Sequence, residues 1–375
     1  MGRFLLRRMQ PENRLKSLDA LRGFDMLFIM GLSTFVIALC SLFPGGSECW
    51  LAQTMKHVEW NGLAHHDTIF SLFLFLAGVS FPFSYAKSVE QGITTRKIYF
   101  KIVRRAFILI LLGLVYNGLL KFDIANLRVC SVLGRIGVAW AVAAVLYINF
   151  SRRTRALVCG SILLIYYLVV RYIGAPDVEN ADPLTMQGNF VGYVDRLITP
   201  GRLYNNGIFD PEGLFSTVPA VATAMLGVFT GEYVRSANHS GSRKSLMMLL
   251  ASAVMLGIGL LWNIEFPINK MLWSSSFVLV VGAYSLAMFA LFYYIVDVRG
   301  WQRWSIPLQV VGVNSITIYM AQKVISFSHT NKFLFGGLAS KLPPEWSELL
   351  MRGGYLLVCW LFLYFLYRKR VFLKV

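Results

Sequence analysis

The stretch TIFSLFLFLAGVSFPFSYA, residues 68–86, contains no charged side chain and is long enough to cross a lipid bilayer as one helix. A helix needs about 20 apolar residues to span the roughly 30 Å of hydrocarbon in a bilayer. The whole chain has a matching composition: 56% of its 375 residues are hydrophobic, only 15% are charged, and the mean hydropathy is +0.58. These values exclude an ordinary soluble domain and predict a polytopic membrane protein.

Similar apolar runs recur along the chain, separated by short charged or Gly/Pro-containing breaks. Because backbone groups in lipid must hydrogen-bond internally, these runs predict α-helices, and their unbroken length argues against a β-barrel. The expected fold is all-α, with about ten transmembrane helices in a single domain over residues 1–375. An outer-side loop at about 174–213 is expected to be ordered and functional. The expected spans are 24–43, 68–86, 102–120, 132–150, 156–173, 214–232, 246–263, 274–296, 306–327 and 350–367.

The net charge of +17 comes mostly from Lys and Arg in alternate breaks between the apolar runs. This alternation is the positive-inside pattern, so we expect both termini in the cytoplasm and a lipid bilayer, not nucleic acid, as the partner. The first apolar run is too long for a signal peptide and is interpreted as a retained helix. The basic clusters are Arg3, Arg7, Arg8, Arg14, Lys16 and Arg22; Lys87, Arg96, Lys97, Lys101, Arg104 and Arg105; and the runs at 151–155, 242–244 and 367–370.

Charged or polar side chains in or near membrane spans are costly, so each is a candidate functional residue. Asp19, Arg22 and Asp25 are spaced by three residues, which predicts either a structural ion pair at the entry to the first helix or a role for Arg22 in holding an anionic ligand. For Arg135, near the outer end of the fourth helix, snorkelling, a buried ion pair and substrate contact all stay open. Asn314 interrupts the ninth helix and is a candidate for interhelical hydrogen bonding or substrate binding.

The most polar stretch between two apolar runs is HVEWNGLAHHD, residues 57–67, immediately before the second helix. Imidazole titrates at about pH 6.5, so His57, His65 and His66 are candidates to exchange protons near neutral pH, and Asp67 is a candidate to orient a ring. The residues alone leave open a second interpretation, a solvated loop with interfacial histidines.

The same stretch contains enough ligands for Zn²⁺, but no metal is expected. Adjacent histidines point in different directions on a helix, and no H-x-x-x-H spacing is present. The five cysteines show no metal-ligand spacing either, and a disulfide between Cys49 and Cys130 stays open.

A second polar stretch on the outer side is NKMLWSSSF, residues 269–277. An aromatic face beside hydrogen-bond donors suits a sugar ring, which makes Lys270 and Trp273 candidates for substrate binding. Helix capping by Ser274 and an interfacial position for Trp273 explain the same residues without a ligand.

Five stretches resemble, in order, the successive motifs of the heparan-α-glucosaminide N-acetyltransferase family of transmembrane acyltransferases. The resemblance covers about residues 15–370, and the sequence looks like a bacterial member, located in the inner membrane. It implies transfer of an acetyl group from cytoplasmic acetyl-CoA to the amine of a glucosamine-type sugar on the extracytoplasmic side. The stretches are LKSLDALRGFDMLFIMG (15–31), HVEWNGLAHHDTIFSLFLFLAGVSF (57–81), FDPEGLFSTVPAVATAMLGVFTG (209–231), NKMLWSSSFVLVVGAYSLAMFALFYYIVDV (269–298) and VVGVNSITIYMAQKVI (310–325).

The family's active histidine stands in an H-x-x-W-N-G-L motif, so the resemblance assigns that role to His57, on the periplasmic side. A second polar residue of the family, asparagine in the animal enzymes, corresponds here to Ser33, which is a departure. We expect neutral His57 to act as the general base for the substrate ammonium. Direct transfer is favoured, and an acetyl-histidine intermediate stays open.

The supporting residues are assigned from their proximity in the sequence and from the expected topology. Asp67 or Glu59 is expected to orient His57, and Asn61 with the backbone near Gly62 is expected to donate to the thioester oxyanion. Because arginines suit the phosphates of CoA, the candidates for binding acetyl-CoA come mainly from the basic residues. The substrate-binding candidates are Trp60, Glu59, Asp210, Glu212, Lys270, Trp273 and Asn314, and the acetyl-CoA candidates are Arg22, Arg104, Arg105, Ser33 and Arg135.

Other functions stay open from the sequence. An O-acyltransferase of a cell-envelope glycan would share the fold and the acetyl donor. A transporter would use the polar residues to line a translocation path, and a purely structural protein would leave the polar cluster without a role. Self-association into a homo-oligomer also stays open.

Overall fold

The computed structural model describes residues 15–205 and 207–373. Over these residues the chain is helical, without any β-strand and with three isolated bridges between single residues, which confirms the all-α fold class. Arg3, Arg7, Arg8 and Arg14 of the first basic cluster lie outside the described residues. The helices are α1 Lys16–Cys40, α2 Trp50–Thr54, α3 His65–Glu90, α4 Thr95–Tyr116, α5 Val132–Asn149, α6 Arg152–Tyr172, α7 Phe190–Ile198, α8 Thr217–Arg235, α9 Gly241–Trp262, α10 Ser275–Val298, α11 Ile306–Gly312, α12 Ser315–Val324, α13 Phe327–Ala339 and α14 Pro344–Arg368.

All ten expected spans fall on helices, but the ninth is broken into α11 and α12 around Asn314. Within the described ranges, seven helices are long and apolar enough to cross a membrane, namely α1, α3, α5, α6, α9, α10 and α14. The count of ten crossings and the cytoplasmic position of the termini therefore stay predictions. The sequence reading missed α13 as a separate helix, because it treated the residues after 327 as a connection.

The first helix begins at Lys16, eight residues before the expected start at 24, so the polar residues near its start lie inside the helix. The carboxylate of Asp297, at the end of α10, accepts the backbone N–H groups of Lys16 (3.1 Å) and Ser17 (3.3 Å). The first N–H groups of a helix have no acceptor within the helix itself, and here the distant carboxylate of Asp297 is their acceptor. The apolar pattern could not reveal that start, because the capping group comes from the other half of the chain.

α1 contains one π-helical turn, Phe28–Leu32, in which Gly31 has a φ of 129°. Glycine adopts this backbone region without the steric cost that a Cβ imposes. Single π-helical turns recur at functional sites because they re-aim the side chains around them. Ser33 follows the turn directly and contacts α3 through His66.

Glycines allow close contacts between helices in the described part of the chain. A Cβ at Gly78 of α3 would lie 2.1 Å from the carbonyl oxygen of Ala224 in α8, and a Cβ at Gly23 of α1 would lie 1.8 Å from that of Leu308 in α11. Small residues at helix interfaces allow such close backbone approach in membrane proteins. These two contacts fix α1 and α3, the helices that carry most of the site described below.

Three connecting segments meet at one end of the helices. The backbone N–H of Gly62 donates to the carbonyl oxygen of Ile268 (2.8 Å), and Trp60 Nε1 donates to the carbonyl oxygen of Leu184 (2.7 Å). The loop at 174–213 contains α7 within its described residues. Segments that were expected on one side of the membrane are therefore in contact.

We expect Gly78→Leu to lower the thermal stability of the protein, because the new side chain must displace the backbone of α8. Overfilling a packed interface costs about 1–3 kcal/mol. Gly257→Leu in α9 is the matched control, since nothing lies within 4 Å of a Cβ at Gly257. The measurement is the Tm of each purified variant in the same detergent, and equal Tm values would contradict the close contact.

Candidate functional site

A cavity of about 800 Å³ runs alongside α1. The guanidinium groups of Arg22 and Arg105 line it, and so do the imidazoles of His57 and His66. Arg22 and Ser33 both line it from α1, and their separation in sequence corresponds to about 16 Å along a helix axis. The cavity therefore has a basic end and an imidazole end. Much of the remaining lining is apolar and includes Met26, Ile29, Ile69, Phe73, Leu109 and Ile136.

Asp67 organises the imidazole end from the first turn of α3. Its Oδ2 accepts the backbone N–H groups of Ala64 (3.2 Å) and Val58 (3.3 Å), which caps the helix and folds the preceding loop back onto it. Its Oδ1 lies 2.6 Å from Nδ1 of His57. The carboxylate is buried, at 2% exposure, whereas the ring of His57 is half exposed at the cavity. The local backbone thus delivers the carboxylate to the histidine.

The contact with Asp67 fixes the tautomer of neutral His57. A carboxylate only accepts hydrogen bonds, so the proton of the ring lies on Nδ1. The lone pair is then on Nε2, the nitrogen that the carboxylate does not engage. A carboxylate-oriented imidazole with one free nitrogen is the arrangement of a general base.

Lys270 adds a positive charge to the same cluster. Its Nζ lies 3.2 Å from Oδ1 of Asp67 and 3.0 Å from Nδ1 of His57. Because Nδ1 of His57 already carries the proton that it donates to Asp67, it has no lone pair to accept another, and the ammonium group donates to the carboxylate, whose charge it balances. The turn that carries Lys270 is fixed by Asn269, which donates through Nδ2 to Oδ1 of Asn61 (3.1 Å).

The two adjacent histidines at the start of α3 have different surroundings, as the sequence predicts. His66 lines the cavity, its Nδ1 lies 2.9 Å from Ser33 Oγ, and its ring centroid is 4.4 Å from that of His57. His65 contacts the hydroxyl of Tyr284 through Nε2 (3.1 Å) and is not part of the cavity lining. Ser33, expected to contact acetyl-CoA, therefore lies at the imidazole end.

Arg22 and Arg105 form the basic end. Arg22 donates to the carbonyl oxygen of Leu76 (3.3 Å) and to Ser80 Oγ (3.1 Å), and its NH1 lies 3.9 Å from Asp19 Oδ1. The expected ion pair is present, and the guanidinium also lines the cavity.

Arg105 lies over the ring of Trp140, with 4.2 Å between the guanidinium carbon and the ring centroid. A guanidinium held over an aromatic face keeps its N–H groups aimed sideways, where an anion can meet them. Arg104, the neighbouring candidate, is exposed and does not line the cavity.

Arg135 and Trp273 lie together in the protein interior, away from the cavity lining. Arg135 donates to the carbonyl oxygen of Gly213 (3.2 Å) and to Ser216 Oγ, and its guanidinium carbon is 5.0 Å from the ring centroid of Trp273. Trp273 is 1% exposed and donates to Thr223 Oγ1 (3.1 Å). This geometry suits helix packing better than the sugar and CoA contacts expected for the two residues.

Asn314 is almost fully buried at the break between α11 and α12. Its Oδ1 accepts from Thr317 Oγ1 at 3.3 Å, and its Nδ2 has no partner among the described residues. Val313 and Ser315 on either side of it line the cavity. The break therefore brings backbone to the cavity wall, with the asparagine behind it.

The acidic candidates of the outer loop are held by an arginine that the sequence reading missed. Arg128 donates to Asp210 Oδ2 (2.8 Å) and Oδ1 (2.6 Å) and also contacts the carboxylate of Glu212. Burial alone lowers the pKa of the Arg128 guanidinium, but its bonds to Asp210 and the charge of Glu212 hold that pKa above its usual value. Asp210 is fully buried, whereas Glu212 lines the cavity. The one sequence feature that could have indicated Arg128 is its position as a basic residue in a break between apolar runs that contains few basic residues.

Trp60 and Glu59, two further substrate candidates, do not line the cavity. Trp60 packs edge-on against Phe209, with 5.5 Å between ring centroids. Glu59 is exposed and makes no hydrogen bond to the described residues. Asn61 is exposed and uses its oxygen to bind Asn269. These three residues lie in the loop before α3 rather than in the cavity wall.

Asp195 anchors the outer loop to the start of α8. Its Oδ1 accepts the backbone N–H groups of Leu214 (2.8 Å) and Phe215 (3.2 Å). Burial raises the pKa of the Asp195 carboxyl to about 6, although the bonds from Phe215 and Leu214 oppose that shift. The loop that holds Asp210 and Glu212 is thus tied down by a carboxyl group that titrates in a mildly acidic range.

Across residues 15–205 and 207–373, no group of three or more His, Cys, Asp or Glu side chains is arranged to hold a metal ion. The five cysteines are free thiols, so Cys49 and Cys130 are not joined. Cys49 instead lies beside Cys40 and accepts the backbone N–H of Ala52 at 3.4 Å.

The chain is similar along nearly its whole length to two curated mammalian proteins. The Mus musculus heparan-alpha-glucosaminide N-acetyltransferase is 28% identical over 98% of this chain, and the Homo sapiens protein of the same name is 27% identical over 96%. The chain spans 62% and 60% of the length of these relatives. No family model matches it.

Asp195→Asn is expected to change the pH dependence of stability, because the amide keeps the acceptor oxygen and removes the titrating proton. The pKa of Asp195 in the folded protein, about 6, is above the ordinary 3.8. The folded state therefore binds this proton more tightly, so its stabilising effect is complete below about pH 4 and is lost as the pH rises through about 6. Relative to wild type, the Tm of the variant should rise between about pH 4 and about pH 6.5. A Tm difference that is independent of pH would contradict this.

Proposed function

The similarity supports a family-level relationship with the heparan-alpha-glucosaminide N-acetyltransferases, and on this basis we propose that the chain is a membrane acetyltransferase. It transfers the acetyl group of acetyl-CoA to the amine of a glucosamine-type sugar. One observation carries the proposal: the same cavity is lined by two guanidinium groups at one end and by a carboxylate-held imidazole at the other.

The basic end of the cavity suits the phosphates of acetyl-CoA. Arg22 and Arg105 both present N–H groups that bind phosphate oxygens with charge-assisted hydrogen bonds. The largely apolar lining provides a path for the acetylated arm toward His57. By the positive-inside distribution of the sequence, the basic end faces the cytoplasm and the imidazole end faces the periplasm of a bacterial inner membrane.

At the imidazole end, the sugar ammonium must lose a proton before its nitrogen can attack. His57 Nε2 accepts that proton while Asp67 holds the ring. Lys270 balances the negative charge of Asp67. The amine nitrogen then forms a bond to the thioester carbonyl carbon, and the carbon–sulfur bond breaks. The second N–H proton ends on the sulfur of CoA, and the proton on His57 returns to water, so amide, thiol and one proton are released.

Glu212 is the acidic group best placed to meet the sugar ammonium, because it lines the cavity and Asp210 does not. Arg128 restrains both carboxylates, so the negative charge at this position is fixed in place. A restrained carboxylate favours binding of a cation and orients it toward the base.

We expect His57→Ala to lower kcat for acetyl transfer roughly 100- to 10,000-fold, because general-base catalysis contributes about that factor. Asp67→Asn should lower kcat as well, since the ring loses its carboxylate. His329→Ala is the control, because His329 is exposed on α13 and is not among the residues that line the cavity. The assay uses purified protein, labelled acetyl-CoA and a panel of amino sugars beside N-blocked sugars.

Three outcomes of that assay would overturn the proposal. Transfer to N-blocked sugars alone would point to an O-acyltransferase. Sugar uptake into vesicles without acetyl-CoA would point to a transporter. Full activity of His57→Ala would remove the proposed base. Acetyl-labelled protein formed in the absence of acceptor would instead favour the acetyl-histidine route over direct transfer.

The basic end is tested with two variants and one matched control. Arg22→Gln and Arg105→Gln should raise KM for acetyl-CoA roughly tenfold or more, because each removes a charged hydrogen bond worth about 1.5–3 kcal/mol. Arg104→Gln should leave KM near the wild-type value, since this neighbour is exposed and outside the cavity lining.

A short thioester donor without a nucleotide distinguishes a loss of phosphate binding from a general loss of structure in the variants. With S-acetylcysteamine as donor, the three arginine variants should match wild type. Equal losses with acetyl-CoA and with S-acetylcysteamine would assign Arg22 and Arg105 a structural role and contradict their contact with phosphates.

A further inference from the structure

His66 lines the cavity and makes a hydrogen bond, and neither feature has a role in the reaction proposed above. Its ring lines the imidazole end of the cavity beside the ring of His57. Its Nδ1 lies 2.9 Å from the hydroxyl oxygen of Ser33. Ser33 is 3% exposed and follows the π-helical turn of α1, so a local departure from α-helical geometry brings this hydroxyl to the ring.

The hydrogen bond to Ser33 determines where neutral His66 carries its proton. Within the described residues, His66 Nδ1 is the one hydrogen-bond partner of the Ser33 hydroxyl. A buried hydroxyl group donates its proton when an acceptor is within reach, because a donor left unpaired costs about 1–3 kcal/mol. The hydroxyl therefore donates to Nδ1, and the proton of the imidazole lies on Nε2.

The two neighbouring rings are consequently opposite tautomers. Asp67 places the proton of His57 on Nδ1 and leaves Nε2 as an acceptor. Ser33 places the proton of His66 on Nε2 and makes that nitrogen a donor. The same end of the cavity thus holds one proton acceptor and one N–H donor, with ring centroids 4.4 Å apart.

We propose that His66 is a second catalytic residue, whose Nε2–H donates a hydrogen bond to the carbonyl oxygen of the thioester, and that Ser33 is the positioning residue that fixes this tautomer. The inference rests on the proposed acetyl transfer. When the amine nitrogen attacks, the carbonyl oxygen becomes an oxyanion, and the N–H donor stabilises it. The oxygen returns to a carbonyl when the carbon–sulfur bond breaks, and His66 keeps its proton throughout.

This assignment differs from the one that the sequence alone favours. Asn61 and the backbone near Gly62 were the expected oxyanion donors, but neither residue lines the cavity. The side-chain oxygen of Asn61 accepts a hydrogen bond from Asn269 in the turn before α10. His66 lines the cavity next to the base, which is where a donor to the reacting carbonyl is needed.

The first test separates an N–H donor from a ring that merely packs against His57. His66→Leu keeps similar volume and removes the donor, so we expect kcat to fall roughly 100- to 1,000-fold with little change in KM for the sugar. His66→Gln places an amide N–H near the original Nε2 and should recover a large part of that loss. His65→Gln, which alters the neighbouring histidine outside the cavity, should stay near wild type.

The second test addresses Ser33 and has a readout that does not depend on activity. Ser33→Ala should lower kcat about tenfold, because the ring is released to populate both tautomers, and Ser33→Thr should restore it through the retained hydroxyl. In protein labelled with ¹⁵N-histidine, the His66 signal assigned with His66→Gln should show a protonated Nε2 in wild type and a mixture in Ser33→Ala.

These results distinguish failure of the inference from failure of the proposed function. A wild-type protein that acetylates no amine overturns the function itself. If wild type is active and His57→Ala is inactive, then unchanged kcat in His66→Leu, equal losses in His66→Leu and His66→Gln, or a proton on Nδ1 of His66 overturns the inference alone.

Discussion

The buried carboxylate of Asp67 is the interaction on which the imidazole end of the cavity depends. It caps α3, accepts the backbone N–H of Val58, holds His57 and binds Lys270, so four separate features share one side chain. A carboxylate buried at 2% exposure persists only when its charge is met by such partners. Lys270 provides that charge from more than two hundred residues away, which links the loop before α3 to the turn before α10.

Two helices that line the cavity, α1 and α3, also make close backbone contacts with neighbouring helices. Gly23 allows α1 to touch α11, and Gly78 allows α3 to touch α8, so the backbones are drawn together on one side of each helix. The broken ninth span around Asn314 borders the cavity as well, and much of the remaining lining is apolar. A dry passage between two polar ends strengthens electrostatic interactions within it, which suits transfer of a group between a charged donor and a charged acceptor.

The hydrogen-bond partner of each histidine at the imidazole end determines the chemistry of that histidine. Two rings of the same type, His57 and His66, become an acceptor and a donor because one meets a carboxylate and the other a hydroxyl. His65, with the same side chain, contacts Tyr284 and lies outside the cavity lining. An imidazole can either accept or donate a proton, and the hydrogen-bond partner of its Nδ1 determines whether Nε2 is the acceptor or the donor.

The sequence by itself determined the all-helical class and the positions of ten helical segments, and it limited the expected partner of His57 to Asp67 or Glu59, because apolar run length and local spacing act within a few turns of chain. Only the tertiary structure decided that Arg22 and Arg105 share a cavity with His57, that Arg135 and Trp273 are buried together, and that Asp210 is buried in an ion pair with Arg128. It also supplied Arg128 and Lys270 as the partners of the acidic groups. The physical reason is that burial and ion pairing depend on which helix faces meet, and those faces are joined by contacts between residues far apart in the chain.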